Sequence, residues 1–348
     1  MKYCLMLAAT IGLCIWLLLL PQCLYAQLAE VDSLPPYVPQ QQVSGTIHSW
    51  GHVFFKKVMA DWEEGFHKYQ PGIKFEDNLV SSAAATGALF TGTADLGILG
   101  REIRPMEVAG YTRVMKQKPW AIQVMTGSYA NADKSVALGI FVNHDNPMSR
   151  INFSQLDAIF GSEHLDSSKH NIRTWGQLGL TGPWANRAID VYTGELNAAP
   201  AFFFSQQVMK GSLLWNCNLK HYDDLILPDG KVIVAQQRIV NALGNDRYGI
   251  ALSGAGVKNP QVKLLSISAT DGGPYVKPTP ETVADRTYPL ARSVWIYINH
   301  SPGKKIDPKV KEFLTYILSR EGQQAVLREG EYLPLTPAQD AQQIKRLQ

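Results

Sequence analysis

Two periods of apolar residues run along the chain and alternate with each other. Residues 43–50 have the period-two character of a half-buried strand, and Gly51 then turns the chain. Phe54, Phe55, Val58, Met59, Trp62 and Phe66 follow at helical spacing, and Pro71-Gly72 stops that helix. Residues 73–78 read as a second strand, 83–91 as a second helix and 94–99 as a short buried strand. The order β-α-β-α-β predicts a mostly parallel sheet with helices on its faces.

A polar, turn-rich stretch at 128–134 interrupts this grammar, which then resumes. Strands are expected at 136–142, 189–193 and 248–252, and helices at 153–160, 198–209 and 236–243. Pro200 opens the second of these helices. Residues 293–299 alternate again and read as the return of the chain to its first half, closed by helices at 308–318 and 320–329. So long an α/β pattern suits two lobes of ordinary size. The expected division is lobe I from 43–130 and 291–348, and lobe II from 131–290, joined by a hinge of two chain crossings that lets the lobes close over a ligand.

The amino-terminal end adds a compartment. Lys2, the apolar run from Cys4 to Leu20, Pro21 and the exit Leu24-Tyr25-Ala26 have the layout of a signal peptide removed after Ala26. The run is near the lower limit for a membrane-spanning helix, and Pro21 with Gln22 ends it. Gln22 before Cys23 is not the small residue that lipidation needs. Residues 27–42, rich in Pro and Gln, read as an extended linker between leader and fold.

Of the 4 cysteines, Cys4, Cys14 and Cys23 fall in the leader, so a processed chain keeps Cys217 and has no internal disulfide. Cys217 reads as a buried small apolar residue rather than a nucleophile. The formal net charge of +3 comes without any run of like charge, and nothing in it implies a nucleic-acid surface. No repeat of fixed period is present.

Motifs of catalysis are missing as well. The chain has no His-Glu-x-x-His, no Gly-x-Ser-x-Gly and no phosphate loop ending in Gly-Lys-Ser/Thr. His48 and His52 are four residues apart, but the strand character of His48 and the intervening Gly51 argue against a shared metal. Ser49 beside His48 points to the opposite face of the strand. No enzyme, metal or cofactor is therefore expected.

With this order in hand, several landmarks resemble the phosphate-type periplasmic solute-binding proteins of ABC importers. Ala94 to Ile103 is similar to that family's "ADIG…SR" signature. Leu156 to Gly161 with Ile172 to Gly179 resembles its "IF…G…W…L" element, Tyr288 to Arg292 its hinge strand, and Val310 to Gly330 its closing helices. The resemblance runs from about Val43 to Leu335 and implies the two-lobed periplasmic-binding-protein fold of type II. It also implies a ligand held in the cleft between the lobes, where helix N-termini present unpaired N–H groups and a partial positive charge.

Three turns are the expected ligand contacts: Gly51-His52-Val53-Phe54, Ser81-Ser82-Ala83, and Gly194 to Pro200 with Glu195, Asn197 and Ala198. Ser82 matches the family position whose hydroxyl and amide hold the anion, and it would also serve as a plain N-cap. Ser81 is a second choice. His52 stands where the family usually has a hydroxyl nearby, and is read either as a contact or as an ordinary surface or core histidine. Gly100 occupies a place where phosphate binders often carry Ser or Asp. Arg101 either points at the ligand or braces Glu102 or a neighbour.

Departures concentrate in lobe II. Relatives carry an arginine followed by Ser-Gly-Thr at the helix there, whereas residues 192–200 of this chain supply neither the guanidinium nor those hydroxyls. Glu195 would repel a fully ionised anion yet accept a hydrogen bond from one that still carries a proton. The resemblance thus implies a monomeric periplasmic receptor for phosphate or a similar oxyanion, serving an ABC permease or a sensor. The alternative is a diverged member that has lost phosphate and binds a small organic ligand or a protein partner. Trp50, Phe54, Phe55 and Phe202 to Phe204 would rim an organic site if exposed, although aromatic residues on helix faces belong more often to the core.

Overall fold

The computed structural model describes residues 27–132, 134–165, 170–300 and 304–348. The expected leader and its cleavage after Ala26 lie outside these residues. Among the described residues no helix is long and apolar enough to cross a membrane. The described residues form two compact units: unit 1 from 27–97, 111–125 and 296–348, and unit 2 from 98–110 and 126–295.

In chain order, β1 (Gly45–Gly51) leads through a short 3₁₀ turn to α1 (Lys56–His67), β2 (Ile73–Leu79), α2 (Ser82–Thr91) and β3 (Leu96–Leu99). α3 (Pro105–Met115) and β4 (Trp120–Thr126) follow. The first five regular elements stand where the periodicity puts them. α3 is less legible because it buries only Tyr111 and so shows no apolar stripe.

Next come β5 (Leu138–Asn143), β6 (Arg150–Asn152), α4 (Phe153–Phe160), β7 (Asp190–Gly194), α5 (Ala199–Gln207) and β8 (Lys220–Tyr222). A two-stranded hairpin of β9 (Leu225–Ile226) and β10 (Val232–Ile233) precedes α6 (Ala235–Gly244), β11 (Gly249–Gly254), β12 (Val262–Leu264), β13 (Ser266–Ser268) and α7 (Pro280–Ala284). The chain ends with β14 (Ser293–Ile298), α8 (Pro308–Ile317), α9 (Arg320–Glu329) and α10 (Pro337–Leu347).

Unit 1 is built on a five-stranded sheet in the order β2-β1-β3-β14-β4. α1 turns Val58, Met59, Trp62 and Phe66 inward, and Trp62 Nε1 donates to the Gly322 carbonyl at 2.9 Å. Gly65 on the same helix is required by close approach, since a Cβ there would fall 1.8 Å from Tyr316 Oη. Residues 27–32 are helical, and the Pro/Gln-rich stretch after them has no regular structure. Leu34 and Tyr37 of this segment are buried. Tyr37 Oη donates to Glu312 Oε2 at 2.7 Å and its N–H to Glu321 Oε2 at 2.7 Å.

Unit 2 is built on a second five-stranded sheet, ordered β12-β5-β11-β7-β8. β7 runs parallel to both β8 and β11, while β5 is antiparallel to β11 and β12. Phe141, Tyr192, Ile239, Val240, Leu243 and Ala251 pack one face of it under α6. Phe202, Phe203 and Phe204 are buried, as core aromatics and not an exposed rim. Cys217 corrects the expectation of a buried residue: it is exposed, because Asn216 and Asn218 hold it in an irregular turn rather than on a packed face.

Candidate functional site

In unit 1 the strand register does the positioning. β1 and β2 are parallel with Gly51 opposite Leu79, so both strands end at the same sheet edge. The chain leaves that edge through Gly51-His52-Val53 on one strand and Ser81-Ser82 on the other. His52 is half-buried and caps the 3₁₀ turn, its Nδ1 accepting from the Phe54 N–H at 3.4 Å while its ring lies 4.2 Å from that of Phe54. Val53 is exposed.

The two serines divide their roles differently from expectation. Ser81, with extended backbone, is the N-cap of α2, and its Oγ accepts from the Ala83 N–H at 3.2 Å. Ser82 is the first helical residue and is buried. An N-cap must lie outside helical backbone angles, and only the first serine does so. No acidic side chain occupies the first turn of α2, so its positive end is not offset locally. His48 is engaged elsewhere, with Nδ1 3.3 Å from Asp95 Oδ2 and Nε2 3.4 Å from Glu76 Oε2.

In unit 2 the loop after β3 carries Gly100 and Arg101. The Gly100 carbonyl accepts from Ser135 Oγ at 3.1 Å. Arg101 braces its own loop: Nη2 lies 2.7 Å from Glu107 Oε1, Nη1 2.8 Å from Glu107 Oε2 and 3.0 Å from the Glu102 carbonyl. Arg292 in turn holds Glu102, with Nη2 2.9 Å from Oε2. Both guanidinium groups are therefore compensated by carboxylates.

Glu195, Asn197 and Ala198 share the turn between β7 and α5, closed by a hydrogen bond from the Ala198 N–H to the Glu195 carbonyl at 3.0 Å. Ala198 is the N-cap of α5 and offers no side-chain acceptor. This turn meets the β3 loop through a residue that sequence reasoning passed over. Arg104 donates through Nη2 to the Asn197 carbonyl, and its Cζ lies 5.3 Å from the Phe202 ring centroid. Behind the turn is a cavity of about 510 Å³. Glu195, Asp223 and Asp224 supply its charge, Ala198, Ile239 and Leu252 its apolar floor, and among the described residues no lysine or arginine lines it.

Among the described residues no group of three or more His, Cys, Asp or Glu could hold a metal ion.

Residues 38–321 match the PBP superfamily domain. The phosphate-binding protein PstS of Pseudomonas aeruginosa is 31% identical over 323 residues, 92% of this chain and 93% of that protein. The chain belongs to this family of solute-binding proteins. Like its PBP-superfamily relatives, it is a binding protein and not an enzyme. The fold agrees with solved members. PstS from Borrelia burgdorferi superposes with a TM-score of 0.56 at 16% identity, covering 84% of this chain and 100% of that one. An ABC-type phosphate transport receptor from Vibrio cholerae gives 0.53 at 18%, covering 82% and 99%.

Proposed function

We propose that this family member is exported to the periplasm, captures an inorganic oxyanion there, phosphate in the first place, and serves an ABC importer or a sensor. The observation that carries the reading is the shared edge in unit 1, where the Gly51 turn and the Ser81-Ser82 turn leave adjacent parallel strands. Ser81 caps α2, and Ser82 follows as the first residue of that ten-residue helix, at its positive end. Phosphate is the ligand named for the Pseudomonas relative across nearly the whole length of both chains.

Thermal unfolding of the processed chain tests the reading. A ligand that binds only the folded state at a hundredfold excess over its Kd stabilises by about 2.7 kcal/mol, which raises Tm by several degrees. Phosphate is expected to do so, and sulfate to do so less. No shift with phosphate, sulfate or molybdate would refute it.

One observation favours a second reading, in which a small organic ligand replaces phosphate. The cavity behind the β7–α5 turn, about 510 Å³ with three carboxylates on its wall, is of ligand size and suits hydroxyl or ammonium groups rather than an anion. An organic panel in the same assay separates the two readings.

A further inference from the structure

Unit 1 gathers cations around a cavity of its own. The cavity has a volume of about 480 Å³, and Lys304, Lys305, Lys311 and Arg346 supply its charge. Gln40 and Gln41, from the amino-terminal segment, line it as well. Asn299, next to the lining residue His300, donates through Nδ2 to the Leu89 carbonyl in the last turn of α2. Leu89 stands about two helical turns beyond Ser82, roughly 10 Å along the axis. The cavity therefore belongs to the other end of α2, away from the turns at the β1–β2 edge.

These cations are not matched inside the protein. Among the described residues none of the four has a carboxylate within ion-pair distance. The acids of α8 are committed elsewhere. Asp307 lies 2.8 Å from Lys309 Nζ, and Glu312 accepts from Tyr37 Oη at 2.7 Å and from the Gln40 and Gln41 N–H groups. Lys311 sits in the first turn of α8, near the positive end of the helix, a place that disfavours a cation. Lys309 in the same turn is balanced by Asp95 and Asp307, whereas Lys311 is not.

Arg346 is held in position by rings. Its Cζ lies 4.9 Å from the Trp120 ring centroid, and the His300 ring meets Trp120 at 5.0 Å in an edge-on arrangement. A guanidinium laid on an indole keeps its N–H edge free to donate. His300 Nδ1 makes no hydrogen bond among the described residues.

A concave surface lined by one sign of charge concentrates counter-ions, and a cavity of this size is in the range of small-molecule sites. The cations come from three directions: the chain after β14, α8 and α10. One anionic group cannot meet all of them, but linked phosphate groups can, since each presents oxygens on several sides to lysine and to the arginine fork. We infer that this cavity is a second anion site, one that takes a compound bearing two or more phosphate groups. That chemistry is supplied by a free polyphosphate or by the two-phosphate headgroup of a lipid such as cardiolipin. The inference does not depend on the proposed oxyanion site.

The test uses the processed chain and two double variants, Lys304→Gln with Lys305→Gln and Lys311→Gln with Arg346→Gln. Each is titrated calorimetrically with tripolyphosphate and with inorganic phosphate, at low and high salt. Each is also cosedimented with vesicles of cardiolipin in phosphatidylcholine or of phosphatidylcholine alone. Both variants are expected to weaken tripolyphosphate or cardiolipin binding by about tenfold or more, with the gap to wild type narrowing in high salt. Inorganic phosphate binding should stay within about twofold of wild type. Loss confined to tripolyphosphate assigns the site to a free polyphosphate, and loss confined to cardiolipin vesicles assigns it to the headgroup.

Ligand-free melting runs alongside and should hold or rise in both variants, since like charges have been removed. If Arg346 proves to brace Trp120 and its variant melts early, the Lys304 and Lys305 variant decides alone. Wild-type binding of neither tripolyphosphate nor cardiolipin vesicles would overturn the inference, as would variants that bind both as the wild type does. Absence of inorganic phosphate binding would count against the proposed function only and leave this site to be judged on its own ligands.

Discussion

Arg101 grips Glu107 at two points, Nη2 to Oε1 at 2.7 Å and Nη1 to Oε2 at 2.8 Å, with both side chains nearly out of solvent. Removing one partner of such a pair leaves the other charged and desolvated, which typically costs about 3 kcal/mol or more. Glu107→Gln should therefore lower the urea midpoint clearly, with little change in the slope of the transition. An unchanged midpoint would mean that water reaches Arg101 far better than the packing indicates.

Adjacent serines on α2 should separate stability from binding. Ser81→Ala removes the cap and is expected to cost about 1 kcal/mol in unfolding free energy. Ser82→Ala leaves the cap intact and should instead weaken phosphate binding roughly tenfold, the loss of one hydrogen bond to a charged group. Equal effects of both substitutions on both measurements would argue against the division of roles.

Two carboxyl groups give unit 1 a pH dependence. Burial, with a hydrogen bond and repulsion from Asp77, pushes Glu63 up from 4.5 to about 9, and burial pushes Asp340 up from 3.8 to about 7. Each group keeps its proton in the folded chain at pH values where the unfolded chain has released it. Their contribution to stability is thus full below the unfolded values and is lost as pH rises through the folded ones. Asp340 lies near the start of α10, where the helix end favours its ionised form, so its raised value means that desolvation wins there. Melting curves between about pH 5 and pH 9 should fall for the wild type and flatten for Glu63→Gln and Asp340→Asn. Parallel curves for all three would contradict the assignment.

Glu195 makes no ion pair among the described residues and stands in the same turn that Arg104 holds. A carboxylate there accepts a proton-bearing anion and repels one without a proton. Glu195→Gln should therefore narrow the preference for phosphate over sulfate in isothermal titration, and unchanged selectivity would sink this role.

Much of the fold was legible because local chemistry and periodicity agree. α4 starts and stops as expected, since Asn152 and Gln155 form a reciprocal capping box before a strongly apolar run. α9 is bracketed by Ser319 as N-cap and by Gly330 in a left-handed conformation. Elements without an apolar stripe escaped. α10 is polar over most of its length, and the hairpin of β9 and β10 exposes Leu225, Ile226 and Val232, so its apolar residues do not mark a core.

The site was legible only in part. The turns themselves follow from strand ends and small residues, and the Gly51 and Ser81-Ser82 turns lie where parallel strands finish. Which serine caps depends on backbone angles that two adjacent serines do not reveal. Arg104 gains meaning only from a contact with Asn197, 93 positions away in the chain, and no local pattern encodes that.

Phosphate binding by the processed wild-type chain, measured by isothermal titration with sulfate as the paired control, is the most direct test of the central claim. The account predicts saturable binding of one phosphate per chain, tighter than that of sulfate. Heats indistinguishable from dilution for phosphate, with binding of an organic ligand in the same experiment, would contradict it.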